Sequence, residues 1–242
     1  MLTDVVACCV CGVVHSGTTI AMKMLRNHPD LCAPPEGHVL RLGSVKELKT
    51  LRKRRSVIKS GWHLTPAQLE EAARQKTIED LYRYLRSVSL TIVDADRNKR
   101  LVDKTPSYVY RLHEAMSRSE NVPFIVIKKD PRNFYYSLSR RGMEWSKIEE
   151  LYRHSYEACV PQCLHAFGKR LLVVSWERFM FKPVKVMRQV CSHIGIEFKE
   201  NLYTPAFFEK RLKPELIYSY KNVKPKGLAK VHKAFKKHFL DI

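Results

Sequence analysis

A glycine-rich stretch near the start of the chain has the composition of an anion-binding loop. Residues 10–19 contain Gly12 and Gly17, end an apolar run that begins at Val5, and precede residues with helical apolar spacing. Strand, glycine-rich turn and helix in this order form a P-loop, in which backbone N–H groups and a helix N-terminus hold a phosphate. Thr18 stands where a P-loop carries its lysine. The stretch therefore predicts a site for a phosphate-like anion without that lysine.

Three further segments place polar side chains directly after short apolar runs. They are residues 103–106, 129–137 and 174–177. In parallel sheets, ligands bind at the carboxyl ends of the strands, where segments of this kind meet. We therefore expect all three segments to lie beside the glycine-rich loop.

Apolar strand-like runs alternate with helical patterns over most of the chain. Strands are predicted at residues 5–14, 101–102, 123–128 and 171–174, and helices at residues 20–27, 44–59, 65–90, 147–169 and 184–194, with others starting near residues 107 and 131. This alternation predicts an α/β fold, a three-layer αβα sandwich with a mainly parallel central sheet, like that of P-loop NTPases. We expect one domain over residues 1–242, with a basic segment at about 213–242 that is able to fold over the ligand and ends in a helix near 228–239.

The charge of the chain predicts an anionic partner. Its 242 residues include 44 Lys and Arg against 24 Asp and Glu, a formal charge of +20. Such a charge attracts nucleic acid, acidic lipid, sulfated polymers and phosphorylated cofactors alike. The positive charge peaks at residues 52–55, which are interpreted as a solvated helix face, with contact to an anionic polymer or a localisation signal as the alternatives.

The seven cysteines are predicted to be mainly buried thiols, because their spacing does not match a zinc site. Cys159 and Cys163 stand at helical spacing, which leaves a local disulfide open beside a plain helix face. No apolar run approaches the roughly 18 residues of a membrane span. A soluble, cytoplasmic protein is favoured, with a lumenal one as the alternative if an anchor is missing from this chain.

Four segments together resemble the sulfotransferases that use 3′-phosphoadenosine 5′-phosphosulfate (PAPS). The first looks like the family's Pro-Arg/Lys-Ser-Gly-Thr-Thr loop and downstream His-Pro, here His15-Ser16-Gly17-Thr18-Thr19 and His28-Pro29-Asp30. The others look like segments that follow it in the family, here Asp103-Lys104-Thr105-Pro106-Ser107-Tyr108, Lys129-Asp130-Pro131-Arg132-Asn133 with Ser137, and Val174-Ser175-Trp176-Glu177. The style of these motifs is closest to that of carbohydrate and tyrosylprotein sulfotransferases.

The resemblance implies two anion sites for the donor PAPS and its product PAP (3′-phosphoadenosine 5′-phosphate). The loop, with His15, Ser16, Gly17, Thr18 and Thr19, would hold the 5′-phosphosulfate, and Lys129, Arg132 and Ser137 would hold the 3′-phosphate. Trp176 is expected either near the nucleotide or in the core. Sulfuryl transfer is an in-line displacement that depends on positioning and charge stabilisation, so no metal is expected.

Glu36 and Lys104 are the candidate catalytic pair, with His15 as a third catalytic residue. By resemblance, Glu36 would take the proton of the acceptor hydroxyl, and desolvation between prolines would make it a stronger base. Lys104 would stabilise charge on the leaving phosphate. His38 is a rival base, and Glu36 as a solvated loop residue is the plain alternative. Tyr108 is expected to line the acceptor site or to pack in the core.

Two residues depart from the family pattern. His15 stands where the family usually has Arg or Lys, and histidine is only partly protonated at pH 7. Either a bound anion holds His15 as imidazolium, or Lys104 and the loop N–H groups carry the charge and activity is weaker. Lys129 replaces an arginine, which keeps the charge but loses the bidentate fork.

The predicted function is sulfuryl transfer from PAPS to a hydroxyl or amine, with a glycan acceptor favoured and an anionic one allowed. A protein tyrosine or a small molecule is the alternative acceptor. Two other classes stay open: a P-loop kinase, which the missing lysine disfavours, and a basic nucleic-acid-binding protein, for which no recognisable motif is present.

Overall fold

A five-stranded parallel sheet forms the centre of the computed structural model, which describes residues 1–34, 36–204 and 207. The strand order is β2-β3-β1-β4-β5, and every neighbouring pair is parallel. The strands are β1 (Val6–Cys11), β2 (Leu31–Cys32), β3 (Arg100–Lys104), β4 (Phe124–Lys128) and β5 (Leu171–Ser175). The predicted α/β fold with a mainly parallel sheet is confirmed.

Helices cover both faces of this sheet. The first ones are α1 (Thr18–Leu25), α2 (Glu47–Thr50), α3 (Arg52–Trp62), α4 (Pro66–Ala72), α5 (Ile78–Val88) and α6 (Leu112–Ser117). They are followed by α7 (Pro131–Ser139), α8 (Trp145–Tyr152), α9 (Val160–Phe167), α10 (Trp176–Phe181) and α11 (Pro183–His193). Two separate apolar cores result. Cys8 and Val10 face α1, α10 and α11, whereas Cys9 and Cys11 face the helices of the other layer.

Strand β1 is buried at all six positions, which explains its unbroken apolar sequence. It ends at Cys11 instead of the predicted Val14. Gly12 has a φ of +154°, and a Cβ at this position would lie 2.6 Å from the carbonyl oxygen of Ile127. The chain therefore leaves the sheet at a residue whose conformation and close contacts require glycine.

Two long predicted helices are each divided. Residues 44–59 form α2 and α3, because Leu51 between them is extended, with a ψ of 93°. Residues 65–90 form α4 and α5, because Thr77 starts a new helix: its Oγ1 accepts a hydrogen bond from the N–H of Asp80. The predicted cap at Thr65 is confirmed by the bond from the N–H of Gln68.

Two other predicted helices start or continue irregularly. The helix expected near residue 107 is a 3₁₀ segment (Pro106–Arg111) before it becomes α6. The helix expected over residues 147–169 contains a π-helical segment (Arg153–Cys159) between α8 and α9. Both irregular segments contribute side chains to the site described below.

All seven cysteines are free thiols, and only Cys159 is not fully buried. The prediction of buried thiols is confirmed, and burial raises the pKa of Cys163 to about 11. Each of the described helices is too short or too polar to cross a lipid bilayer. The predicted basic segment at 213–242, with its helix near 228–239, lies outside the described residues.

Candidate active site

The glycine-rich loop is braced from behind by the hydroxyl group of Tyr156. The N–H of Val13 donates to this oxygen at 2.9 Å, and the hydroxyl donates to the carbonyl oxygen of Ile127 at 2.8 Å. Tyr156 belongs to the π-helical segment and is almost fully buried. One side chain thus joins the loop to the end of β4, which fixes the loop relative to the sheet.

Trp176 packs directly against the loop at Gly17. Gly17 has a φ of +105°, and a Cβ here would lie 2.2 Å from Cε3 and Cζ3 of the indole. The centroid of the same ring lies 5.3 Å from Nζ of Lys129. Trp176 therefore connects the glycine-rich loop with the 129–137 segment. The two segments lie side by side at the carboxyl ends of the strands, as predicted.

A cavity of about 800 Å³ opens above the loop at the carboxyl end of the sheet. The predicted site residues that line it are His15, Gly17, Thr18, Thr19, Glu36, Lys129, Ser137 and Trp176. The structure therefore brings together side chains from four separate segments of the sequence. Glu36 is the only acidic residue in the described lining, so the cavity is strongly positive.

Three predicted site residues do not line this cavity. Ser16 is buried inside the loop. Lys104 is buried and reaches the site through Glu36, which does line the cavity: its Nζ is 2.6 Å from Oε1 of Glu36. Arg132 is directed elsewhere: its Nε and Nη2 donate to the two carboxylate oxygens of Asp130 at 2.9 and 2.8 Å. Arg132 is thus the one candidate that the structure does not bring to the site.

Two arginines that sequence reasoning missed line the cavity beside Ser137. Arg140 and Arg141 directly follow α7, and Nη1 of Arg141 donates to Oγ of Ser137 at 3.1 Å. The spacing from Ser137 to Arg141 is that of neighbours on one helix face, and this was the available signal. Together with Lys129 these residues form one cationic wall.

Burial and neighbouring positive charges lower the pKa values of two site residues, His15 and Lys129. Burial, followed by the charges of Arg141 and Lys129, lowers the pKa of His15. Burial lowers the pKa of Lys129 to about 8, with Glu177 opposing the shift and Arg141 adding to it. The lowered pKa favours the neutral form of His15 in the ligand-free protein, so this residue does not supply a permanent cation.

Glu36 lies between a cation and an imidazole. Its Oε1 pairs with Lys104, and its Oε2 is 3.6 Å from Nε2 of His38. Burial lowers the pKa of His38, with Asp103 and Glu36 opposing the shift. The predicted desolvation of Glu36 is not observed, because its side chain is 42% exposed while that of Lys104 is 7% exposed. An ion pair, rather than an apolar pocket, sets the environment of this carboxylate.

A buried carboxylate in β3 orients three hydroxyl groups. Oδ1 of Asp103 accepts from the Thr105 hydroxyl at 2.8 Å, and Oδ2 accepts from the Tyr108 hydroxyl at 2.7 Å and from the Tyr82 hydroxyl. The hydroxyls of Thr105 and Tyr108 in turn accept from the N–H groups of His38 and Leu40, at 3.1 and 3.0 Å.

This network ties the segment after Glu36 to the strand that carries Lys104. Tyr108 is thereby a core residue with a positioning function, and it does not line the main cavity. The contacts join residues more than 60 positions apart in the chain. Local sequence patterns do not reveal such contacts.

Glu177 ties the fourth segment to the start of α7. Its carboxylate accepts from the N–H of Asp130 at 3.0 Å and from Nδ2 of Asn133 at 2.7 Å. Trp176 and Glu177, adjacent at the end of β5, therefore hold the loop and α7 in one arrangement.

Comparisons with known proteins agree with this geometry. The model of the sulfotransferase family matches residues 8–200. No curated protein matches the chain. Among solved structures, the sulfotransferase domain of the Synechococcus PCC 7002 olefin synthase superposes with a TM-score of 0.63 at 21% identity, covering 94% of this chain and 93% of that one. The sulfotransferase domain from the curacin biosynthetic pathway gives a TM-score of 0.62 at 17% identity, covering 96% and 97%.

The family match extends over all four segments that form the site, from the loop to Glu177. The solved structures, at these identities, show that the fold is shared. The chain therefore belongs to the sulfotransferase family, as its resemblance to PAPS-dependent enzymes predicted, and it is an enzyme of that family.

Proposed function

We propose that the protein transfers a sulfuryl group from PAPS to a hydroxyl group of a glycan, without a metal ion. One observation carries this proposal: a single cavity joins an anion-binding loop and a cationic wall to the Glu36–Lys104 pair. The loop and the wall fit a donor with two anionic groups. The carboxylate fits an acceptor that must lose a proton.

The donor fits the residues present in the cavity. The N–H groups at the start of α1, with Thr18 and Thr19, would hold the 5′-phosphosulfate. Lys129 and Ser137 would hold the 3′-phosphate, and we assign Arg141 to this group in place of Arg132, because only Arg141 lines the cavity. Trp176 would pack against the nucleotide.

The Glu36–Lys104 pair supplies both charges that the transfer requires. PAPS provides the sulfuryl group and a good leaving phosphate. Glu36 takes the proton of the acceptor hydroxyl as the new oxygen–sulfur bond forms. Lys104 stabilises the negative charge that develops on the bridging oxygen as the old bond breaks. Because Lys104, Lys129 and Arg141 provide positive charge, the transfer needs no metal to neutralise the donor.

The character of the cavity favours a glycan over an apolar acceptor. Sites for small apolar molecules are lined mainly by hydrophobic and aromatic side chains. Here eight of the fourteen described lining residues are polar or charged, and the apolar surface comes from Val14, Ile20, Pro106 and the rings of Tyr136 and Trp176. A polyhydroxylated acceptor suits such a wall better than a simple phenol does.

PAP is expected to raise the melting temperature far more than AMP, which lacks the 3′-phosphate. A ligand that binds only the native state stabilises it by RT ln(1 + [L]/Kd), about 2.7 kcal/mol at a hundredfold excess over Kd. A thermal-shift titration with PAP, AMP and Mg²⁺–ATP measures this. Equal shifts with PAP and AMP, or a shift with Mg²⁺–ATP alone, would contradict the donor assignment.

The affinity for PAP is expected to fall as the pH rises above about 8, the value to which burial lowers the pKa of Lys129. Below this pH, Lys129 is already protonated in the free protein. Above it, binding must also protonate Lys129, so the affinity falls by up to about tenfold per pH unit. Calorimetric titration of PAP between pH 6.5 and 9.5 measures the slope.

The substitution Lys129→Arg should remove this pH dependence, because arginine stays protonated throughout the range. Lys128→Arg is the matched control, since Lys128 lies over the rings of Tyr152 and Tyr156 and does not line the main cavity. It should leave the slope unchanged. An equal slope in Lys129→Arg and in the wild type would exclude Lys129 as the titrating group.

A further inference from the structure

A second, smaller cavity of about 50 Å³ is surrounded by arginines. Its described lining includes Arg41, Arg54 of α3, Arg111 at the end of the 3₁₀ segment, Arg118 directly after α6, and one acidic residue, Glu114. A volume of this size accommodates a group of a few non-hydrogen atoms. The cavity is therefore small, positive and suited to one compact anion.

The charges around this cavity are only partly balanced by the described residues. Glu114 pairs with Arg111 at 2.7 Å and with Arg118 at 3.1 Å. Within the part of the chain that the structure describes, Arg41 and Arg54 have no acidic partner within salt-bridge distance. Burial lowers the pKa of Arg41, and the charges of Arg54 and Arg111 add to this effect while Tyr108 opposes it.

A hydroxyl group in the same cavity also has no hydrogen-bond partner among the residues that the structure describes. Oγ of Ser107 is buried and has no hydrogen bond within the described residues, although Ser107 lines the cavity. A buried hydroxyl without a partner is unfavourable. An oxyanion between Arg41, Arg54 and Ser107 would satisfy the hydroxyl and both guanidinium groups together.

The small cavity and the main one are lined by neighbouring residues of one 3₁₀ segment. Pro106 lines the main cavity, whereas the next residue, Ser107, and Arg111 at the other end of the segment line the small one. Glu36 and Arg41 are likewise joined by a short stretch that the Asp103 network holds in place.

We propose that Arg41, Arg54, Arg111 and Ser107, here called the arginine site, bind an anionic substituent of the acceptor. The substituent is a sulfate or a carboxylate on the same acceptor as the hydroxyl that reacts at Glu36. This inference rests on the proposed function and makes its acceptor more specific: a glycan that already carries negative charge.

The arginine site also explains the basic run at residues 52–55. Arg54 faces the small cavity, and Arg55 pairs with Glu70. Arg52 and Lys53 are exposed and line neither cavity. One member of the run is thus a specific ligand-binding candidate, and its neighbour Arg52 offers a control on the same helix with the same charge.

The test compares Arg54→Ala and Arg41→Gln with Arg52→Ala. The probes are a sulfated tetrasaccharide, its desulfated form that retains carboxylates, and a neutral tetrasaccharide of equal length. Binding is measured by calorimetry on the full chain, with and without saturating PAP. We expect the wild type to prefer one or both anionic probes, and Arg54→Ala and Arg41→Gln to weaken that binding about tenfold. Arg52→Ala should change it less than twofold.

Other results would overturn the arginine site. Equal losses in Arg52→Ala and Arg54→Ala would show diffuse attraction to a basic surface. Equal binding of all three probes, or of none, would remove the anionic substituent. If an RNA oligonucleotide binds more tightly than any probe and loses affinity equally in Arg52→Ala and Arg54→Ala, the basic residues bind nucleic acid instead of the acceptor.

Failure of the proposed function gives a different pattern. If PAP does not bind, the donor assignment is wrong, but probe binding in its absence still tests the arginine site. A Tm within about 2 °C of the wild type confirms that each variant is folded, and Arg54→Gln replaces Arg54→Ala if the latter is not.

Discussion

Glu36→Gln is expected to lower kcat by about 10²- to 10⁴-fold, the range that general-base catalysis contributes. The amide cannot take the proton of the acceptor hydroxyl, although it fills the same space. PAP affinity should not fall, because Glu36 competes with the donor for Lys104, to which it is bound at 2.6 Å. Transfer of labelled sulfate at saturating PAPS measures kcat, and calorimetry measures the affinity for PAP.

Two further variants test whether this effect is specific to Glu36. Glu70→Gln makes the same change in a glutamate that pairs with Arg55 outside the main cavity, and it should leave kcat unchanged. His38→Gln addresses the rival base. Its imidazole is 3.6 Å from Glu36, and burial lowers its pKa, which favours the neutral form that a base requires. A large loss in His38→Gln combined with retained turnover in Glu36→Gln would transfer the role of base to His38.

The central part of the fold was predictable because its signals are local. Strands β1 and β4 are buried on both faces, so their sequences are continuously apolar. Gly12 and Gly17 mark the turn because both have positive φ and neighbours too close for a side chain. Parallel pairing then places the ends of β1, β3, β4 and β5 at one edge, which is where the predicted site residues gather.

The remaining parts of the site depend on contacts across the fold. Tyr156 accepts a hydrogen bond from the loop residue Val13, although the two are 143 positions apart in the chain. Tyr156 lies in a π-helical segment, and the apolar spacing of the sequence does not distinguish such a segment from an α-helix. Arg132 is two residues after Asp130, and the two side chains form an ion pair. This pairing directs the arginine away from the cavity. Glu36 lies in an irregular segment, and its environment likewise depends on Lys104, which comes from the distant strand β3.

Gly17→Ala is expected to weaken PAP binding by about 30- to 100-fold. The new methyl group would lie 2.2 Å from the Trp176 ring, and the positive φ of Gly17 adds backbone strain. The ring cannot easily move, because it is buried and also contacts Phe179 and Lys129. The loop must therefore shift, at a cost of about 2 to 3 kcal/mol, the upper range for overpacking a core. Calorimetric titration with PAP measures the loss.

Gly195→Ala separates the collision from the backbone strain. Gly195 also has a positive φ, +67°, but a Cβ there meets no atom within 4 Å, and the residue lies outside the main cavity. It should lower Tm slightly and leave PAP affinity unchanged. If the ring is the obstacle, Gly17→Ala combined with Trp176→Leu should lose less affinity than the sum of the two single changes. Additive losses would show that Gly17 is needed for its backbone conformation alone, and the packing of Trp176 against the loop would then have no part in holding the donor.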